Sequence, residues 1–133
     1  MMVVDLSAII AVFQAEDDAQ VFTDAMAMAV ADELVMSAVN AHETAMILRA
    51  RAGIEGAESF WRFLSINDIK VVPFDEEQAR AASAAFGRYG KGVHPKARLN
   101  LADCAAYALA KSLSAPLLFK GDDFTHTDVQ SWR

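Results

Sequence analysis

The chain has 133 residues, 54% hydrophobic and 23% charged, with 12 Lys and Arg against 18 Asp and Glu for a formal net charge of −6. A mean hydropathy of +0.19, with only three prolines and six glycines, excludes a disordered segment, which combines low hydrophobicity with high charge. The single cysteine, Cys104, excludes a disulfide framework and a zinc-finger ligand set, and a pI near 4.9 argues against a general nucleic-acid binder, which carries a basic excess over the phosphates it neutralises.

One compact domain over residues 1–133 is expected, since a chain of this length buries roughly two-thirds of its unfolded surface without staples. The N-terminal Met-Met-Val-Val is interrupted by Asp5 and has no basic leader region. The apolar run Ala8–Phe13 is far short of the ~20 residues that span a bilayer. A cytoplasmic protein without membrane association is the expectation.

In chain order, Val3-Val4 reads as a short strand ending in Asp5, and Ala8–Phe13 as a helix. Glu16, Asp17 and Asp18 open a second helix, where acids suit the positive end of the helix dipole, and Val21, Phe22, Ala25, Met26, Ala29 and Val30 follow at helical spacing. Leu34-Val35-Met36 is a second strand. Ser37 to Ala52 is helical, with Ala41, Ala45, Leu48 and Ala52 on one face and Gly53 as its C-cap. Phe60, Trp61, Phe63 and Leu64 lie on the next helix. Ile69–Val72 is a third strand closed by Pro73. Asp75-Glu76-Glu77 starts an Ala-rich helix that runs to about Tyr89-Gly90, followed by the polar loop Lys91–Arg98. Asn100 caps a helix from Leu101 to about Leu113, and Pro116–Phe119 is a fourth strand before Gly121-Asp122-Asp123-Phe124. Strands alternating with helices imply a mainly parallel sheet with right-handed crossovers and helices on both faces, an α/β sandwich.

Ligands of open parallel sheets bind beyond the carboxyl ends of the strands. Asp5 follows the first strand and Asp122-Asp123 the fourth. Asp5 has nearly apolar sequence neighbours, and a buried carboxylate must be paired, hydrogen-bonded or metal-bound. It can equally serve as the N-cap of the helix that follows. Asn40-Ala41-His42-Glu43 and Asn100-Leu101-Ala102-Asp103 share the spacing of a capping box, yet Glu43 and Asp103 both sit among apolar residues. Converging, Asp5, Glu43, Asp103 and one of Asp122 and Asp123 would form an oxygen-rich site without His or Cys. Such a site selects Mg²⁺ or Mn²⁺ over zinc and suits attack of a metal-activated water on a phosphodiester.

Several segments together resemble the PIN-domain family, specifically the VapC-type toxins of type II toxin–antitoxin systems: Val3–Ile10, Ser37–Glu43, Phe86–Pro95, Leu99–Ala110 and Leu117–Phe124. The resemblance covers essentially the whole chain and implies a PIN-like three-layer α/β/α sandwich around a mainly parallel sheet of four to five strands. It implies an Mg²⁺-dependent endoribonuclease, with Mn²⁺ able to substitute, that cleaves RNA such as tRNA. Asp5, Glu43 and Asp103 match the family acids, with Asp5 and Asp103 as the metal ligands. The fourth acid is Asp123 or Asp122, the first being preferred because it directly precedes Phe124. The implied partners are a cognate VapB-like antitoxin that blocks the site and a second copy of the chain in a homodimer. Two positions depart from the family pattern: Leu6 replaces a common Thr or Ser, leaving Ser7 as the nearby hydroxyl, and Ala102 replaces a common Gly.

The other candidates are weaker. His42 and His126 read as structural or surface residues, because metal-bound water needs no histidine base. His94 sits in the basic loop and is placed to contact a phosphate. Cys104 reads as a packing residue, and Phe60, Trp61 and Phe63 as core, interface, or a groove for an amphipathic antitoxin helix. A phosphatase would want an aspartate where Ser7 stands, and a receiver domain a phospho-acceptor on a central strand. A non-catalytic PIN-like module that binds RNA or protein would gain nothing from clustered acids. Between Glu77 and Asp103 lie five basic residues, Arg80, Arg88, Lys91, Lys96 and Arg98, and no acid. The net charge thus averages an acidic pocket with a basic helix and loop, and Lys91, Lys96, Arg98 and His94 are the candidate RNA-binding residues despite the low pI.

Overall fold

A computed structural model describes residues 1–29 and 32–133. Among them, four strands and five α-helices follow one another as β1 (Met2–Val4), α1 (Leu6–Phe13), α2 (Ala19–Met28), β2 (Leu34–Ser37), α3 (Ala38–Ile66), β3 (Ile69–Val72), α4 (Glu76–Tyr89), α5 (Leu101–Leu113) and β4 (Leu117–Leu118), with a 3₁₀ turn at Asp123–His126. Val30, expected to continue the second helix, lies outside the described residues.

The strands form one sheet in the order β3-β2-β1-β4, and every pairing is parallel. The short runs of β1, β2 and β4 are buried on both faces, as crossover helices require, whereas β3 at the sheet edge exposes Lys70 and Val71. Alternation divides the side chains between two cores. Met2, Val4, Leu34, Met36 and Leu118 pack on one side with Ile9, Phe22, Leu48 and Phe60. Val3, Val35 and Leu117 face the other side with Leu99, Tyr107, Leu109 and Phe124. The result is the expected three-layer α/β/α sandwich. Helix α5 is buried from Cys104 through Ala110, because its run of alanines lets it lie close against the sheet.

The chain runs from β1 outward through β2 to β3, then crosses back through α4 and α5 to place β4 on the other side of β1. The connections therefore diverge between β1 and β4, and ligands of open α/β sheets bind beyond the carboxyl ends of strands at such a switch point. Asp5 follows β1 there, and the turn carrying Asp122 and Asp123 follows β4.

Two sequence expectations are corrected. The second helix starts at Ala19, not at the acids before it, and Asp18 makes no side-chain cap; Glu16 and Asp18 instead pair with Lys120. Ser37 ends β2 and caps α3 through its side chain, so Asn40 is not a cap. Gly53 does break the helix, at φ 69° and ψ −163°, a conformation essentially reserved for glycine. The chain resumes a helical course at once, so α3 is two segments joined at a kink. The C-terminal tail also has an unforeseen role. It lies along the open edge of β4, with Leu117 N donating to Gln130 O and Trp132 N to Leu117 O, and Trp132 packs against Phe22 and Phe119. Covering this edge removes a template for pairing with other chains.

Candidate active site

Asp5 is 1% exposed. Its Oδ2 accepts from Ser7 N at 3.0 Å and from Ser7 Oγ at 2.5 Å, so the N-cap reading holds for that oxygen. Ser7 Oγ in turn accepts from Lys120 N at 2.9 Å, tying the residue after β1 to the end of β4. Where Leu6 supplies no hydroxyl, Ser7 commits its own to Asp5. Oδ1 is buried and has no hydrogen-bond partner among the described residues. Burial pushes the Asp5 carboxyl up to about 6, against the opposing bonds from Ser7, and the charge of Glu43 adds to the rise.

Asp103 stands in the first turn of α5 and closes the capping box expected from its spacing. Asp103 N donates to Asn100 Oδ1 at 2.9 Å and Asn100 N to Asp103 Oδ2 at 3.0 Å. Capping does not consume its charge. Burial raises its carboxyl to about 7, and the charges of Asp5, Asp123 and Glu43 push the same way. The charges felt by Asp5 and Asp103 thus place Asp5, Glu43, Asp103 and Asp123 in one neighbourhood. Both aspartates of the turn are exposed; Asp123 is the one whose charge acts on Asp103, and Asp122 precedes the 3₁₀ turn.

Among the described residues, no three His, Cys, Asp or Glu side chains are gathered closely enough to hold a metal ion as they stand. The donor set nonetheless fits a hard divalent cation. Mg²⁺ keeps several waters and is held by one or two carboxylates, and a buried carboxylate oxygen lacking any donor is a group that such a cation satisfies.

Lys91, Lys96 and Arg98 are exposed on the loop between α4 and α5. Lys91 N donates to Leu99 O and Leu99 N to Tyr89 O, so the base of the loop closes directly before Asn100 and the acid-bearing turn of α5. His94 braces the loop, its Nδ1 accepting from Lys96 N and Ala97 N, which leaves Nε2 as the donor nitrogen. His42 and His126 are exposed. Cys104 is buried, and that burial pushes its thiol up to about 11, as suits a packing residue rather than a nucleophile. Phe60 is fully buried against Phe13 and Trp61, and Trp61 is 42% exposed.

An α/β sandwich with clustered carboxylates at its switch point defines a class of acidic-site domains. A family model for the PIN domain matches residues 2–130, and the chain belongs to the PIN-domain family. It is 43% identical over 129 residues to ribonuclease VapC30 of Mycobacterium tuberculosis, covering 96% of this chain and 95% of that protein. It is also 43% identical over 130 residues to ribonuclease VapC of Mycolicibacterium smegmatis, covering 96% and 97%. Among solved structures, VapC20 of Mycobacterium tuberculosis, a sarcin–ricin loop cleaving toxin, superposes with a TM-score of 0.76 at 16% identity over 97% of this chain and 96% of that one. A toxin–antitoxin complex from Klebsiella pneumoniae gives 0.68 at 14% identity over 96% and 93%. At these identities the two structures share the fold.

The raised carboxyls make stability depend on pH. Both Asp5 and Asp103 rise from an ordinary 3.8, to about 6 and about 7, so the folded protein binds more protons than the unfolded chain between those values. Stability therefore falls as pH rises from about 4 to about 7. Glu33 and Asp128 are lowered and act with the opposite sign below that window. Metal-free protein is expected to melt about 5 °C or more lower at pH 8 than at pH 5, and Asp103→Asn to remove much of the difference. A melting temperature that stays flat or rises over this range would contradict the clustering.

Proposed function

We propose that the chain, as a single PIN domain in the cytoplasm, is a VapC-type endoribonuclease toxin that hydrolyses RNA phosphodiester bonds with a divalent cation. The observation that carries the reading is the unpartnered Asp5 Oδ1, buried at the switch point beside three further acids. The support from relatives is that proteins named VapC ribonucleases match almost end to end.

In this reading Asp5 and Asp103 hold the cation, with Glu43 and Asp123 completing the acidic surround. Bound there, Mg²⁺ or Mn²⁺ supplies a water of lowered pKa and neutralises charge on the phosphodiester. Ser7 fixes Asp5 so that Oδ2 is occupied and Oδ1 is left for the cation. The Asn100 capping box fixes Asp103. Lys91, Lys96 and Arg98 hold the RNA backbone next to the start of α5, and His94 Nε2 donates to a phosphate. A structured RNA such as tRNA presents its backbone along such a loop.

A VapB-like antitoxin neutralises the toxin by placing a basic side chain among the acids, which would otherwise repel one another. The fold shared with a chain of the Klebsiella pneumoniae toxin–antitoxin complex supports that pairing. A homodimer covers the apolar groove lined by Phe74, Ala82, Phe86, Leu101 and Cys104, where Phe86 is 42% and Leu101 77% exposed.

Purified protein with Mg²⁺ or Mn²⁺ is expected to cleave RNA, and Asp5→Asn and Asp103→Asn each to lower the rate by about 100-fold or more while far-UV circular dichroism is unchanged. Unchanged cleavage by either variant would refute the mechanism. Changing Lys91, Lys96 and Arg98 together to Ala is expected to weaken RNA binding and to reduce the slope of log affinity against log salt by about 2. An unchanged slope would place the RNA elsewhere on the surface.

A further inference from the structure

Asn40 is fully buried in the first turn of α3, three residues before Glu43. Leu6 N, next to Asp5, donates to Asn40 Oδ1 at 3.0 Å. Asn40 Nδ2 donates at 2.9 Å to the carbonyl of Ala102, next to Asp103. Thr44 Oγ1 donates to Asn40 O at 2.7 Å and steadies the same turn. One side chain thus bridges three helix starts, each carrying one of the clustered acids, and the residues it joins are 34 and 62 positions away in sequence. The two ends make opposite demands: an N–H needs an acceptor and a C=O needs a donor. A planar amide meets both, whereas a carboxylate lacks the donor and an aliphatic side chain lacks both.

We infer that Asn40 is a positioning residue that sets the spacing of Asp5, Glu43 and Asp103 by pinning the starts of α1, α3 and α5 to one another. The inference rests on the reading of these acids as a metal-dependent ribonuclease site. Its consequence is that cation affinity depends on a side chain that reaches no cation. Residues that orient metal ligands in this way have large effects on affinity, and without the amide both Leu6 N–H and Ala102 C=O would be left buried and unpaired.

The test compares Asn40→Ala with Leu48→Ala, a truncation of another buried α3 residue, which is 2% exposed and lies in the core beneath the sheet. Mn²⁺ affinity of the RNA-free protein is measured by calorimetry, cleavage by steady-state kinetics, and amide hydrogen exchange at Leu6 by NMR. Asn40→Ala is expected to weaken Mn²⁺ binding about tenfold or more and to lower kcat about 30-fold with RNA KM changed less than about threefold. Exchange at Leu6 is expected to accelerate beyond the change at globally protected amides. Leu48→Ala is expected to lower the melting temperature while Mn²⁺ affinity stays within about twofold. If Asn40→Ala does not fold, Asn40→Ser, whose hydroxyl is too short to bridge both partners, carries the same comparison. Mn²⁺ affinity equal to wild type in the Asn40 variant, or an equal loss in Leu48→Ala, would overturn the inference. Wild-type protein that neither binds Mn²⁺ nor cuts RNA would instead refute the ribonuclease reading; exchange at Leu6 then decides the clamp alone, acceleration supporting it and no change overturning it.

Discussion

The structure turns on one buried carboxylate. Removing an ionised carboxyl from water costs several kcal/mol unless its oxygens are satisfied, and Asp5 is 1% exposed with only one oxygen satisfied by the protein. Ser7 supplies two hydrogen bonds to Oδ2, and nothing among the described residues reaches Oδ1. The chain relieves this in part by favouring the protonated form, with the carboxyl raised to about 6. A divalent cation held there, as proposed, would relieve it more fully, because it would meet the bare oxygen and offset the repulsion from Glu43, Asp103 and Asp123 together.

The rest of the fold aims at that residue. Parallel pairing places Asp5 at the carboxyl end of a central strand, and the return of the chain to β4 puts the switch point beside it. Lys120, just after β4, ties that end of the sheet to the chain following β1: its backbone N–H holds Ser7, and its ammonium pairs with Glu16 and Asp18. The start of α5 delivers Asp103 to the same place, and the loop just before it carries exposed cations. Acid and base are thereby juxtaposed by a few residues of chain, although the protein as a whole is acidic.

Much of this was legible from residue type and spacing. Apolar runs broken by Gly, Pro and acids marked every strand and helix, and the Asn100–Asp103 spacing correctly announced a capping box. The same spacing misled at Asn40–Glu43. Local sequence cannot distinguish an Asn that caps its own helix from one whose amide spans to Leu6 and Ala102, because the difference lies wholly in tertiary contacts. Glu16 and Asp18 misled for a similar reason. Acids before an apolar helical stretch read as dipole partners, whereas their actual partner, Lys120, is more than 100 residues away. The C-terminal tail carried no strand pattern, since its place beside β4 rests on backbone hydrogen bonds around Leu117 and the packing of Trp132.

A crystal structure of the wild-type protein grown with Mn²⁺, with anomalous diffraction used to locate the ion, bears most directly on the claim that Asp5 is buried in order to hold a cation. A Mn²⁺ peak with Asp5 Oδ1 as a direct ligand is the predicted result. A protein at saturating Mn²⁺ with no peak at Asp5, or with Oδ1 hydrogen-bonded to a protein donor instead, would contradict it.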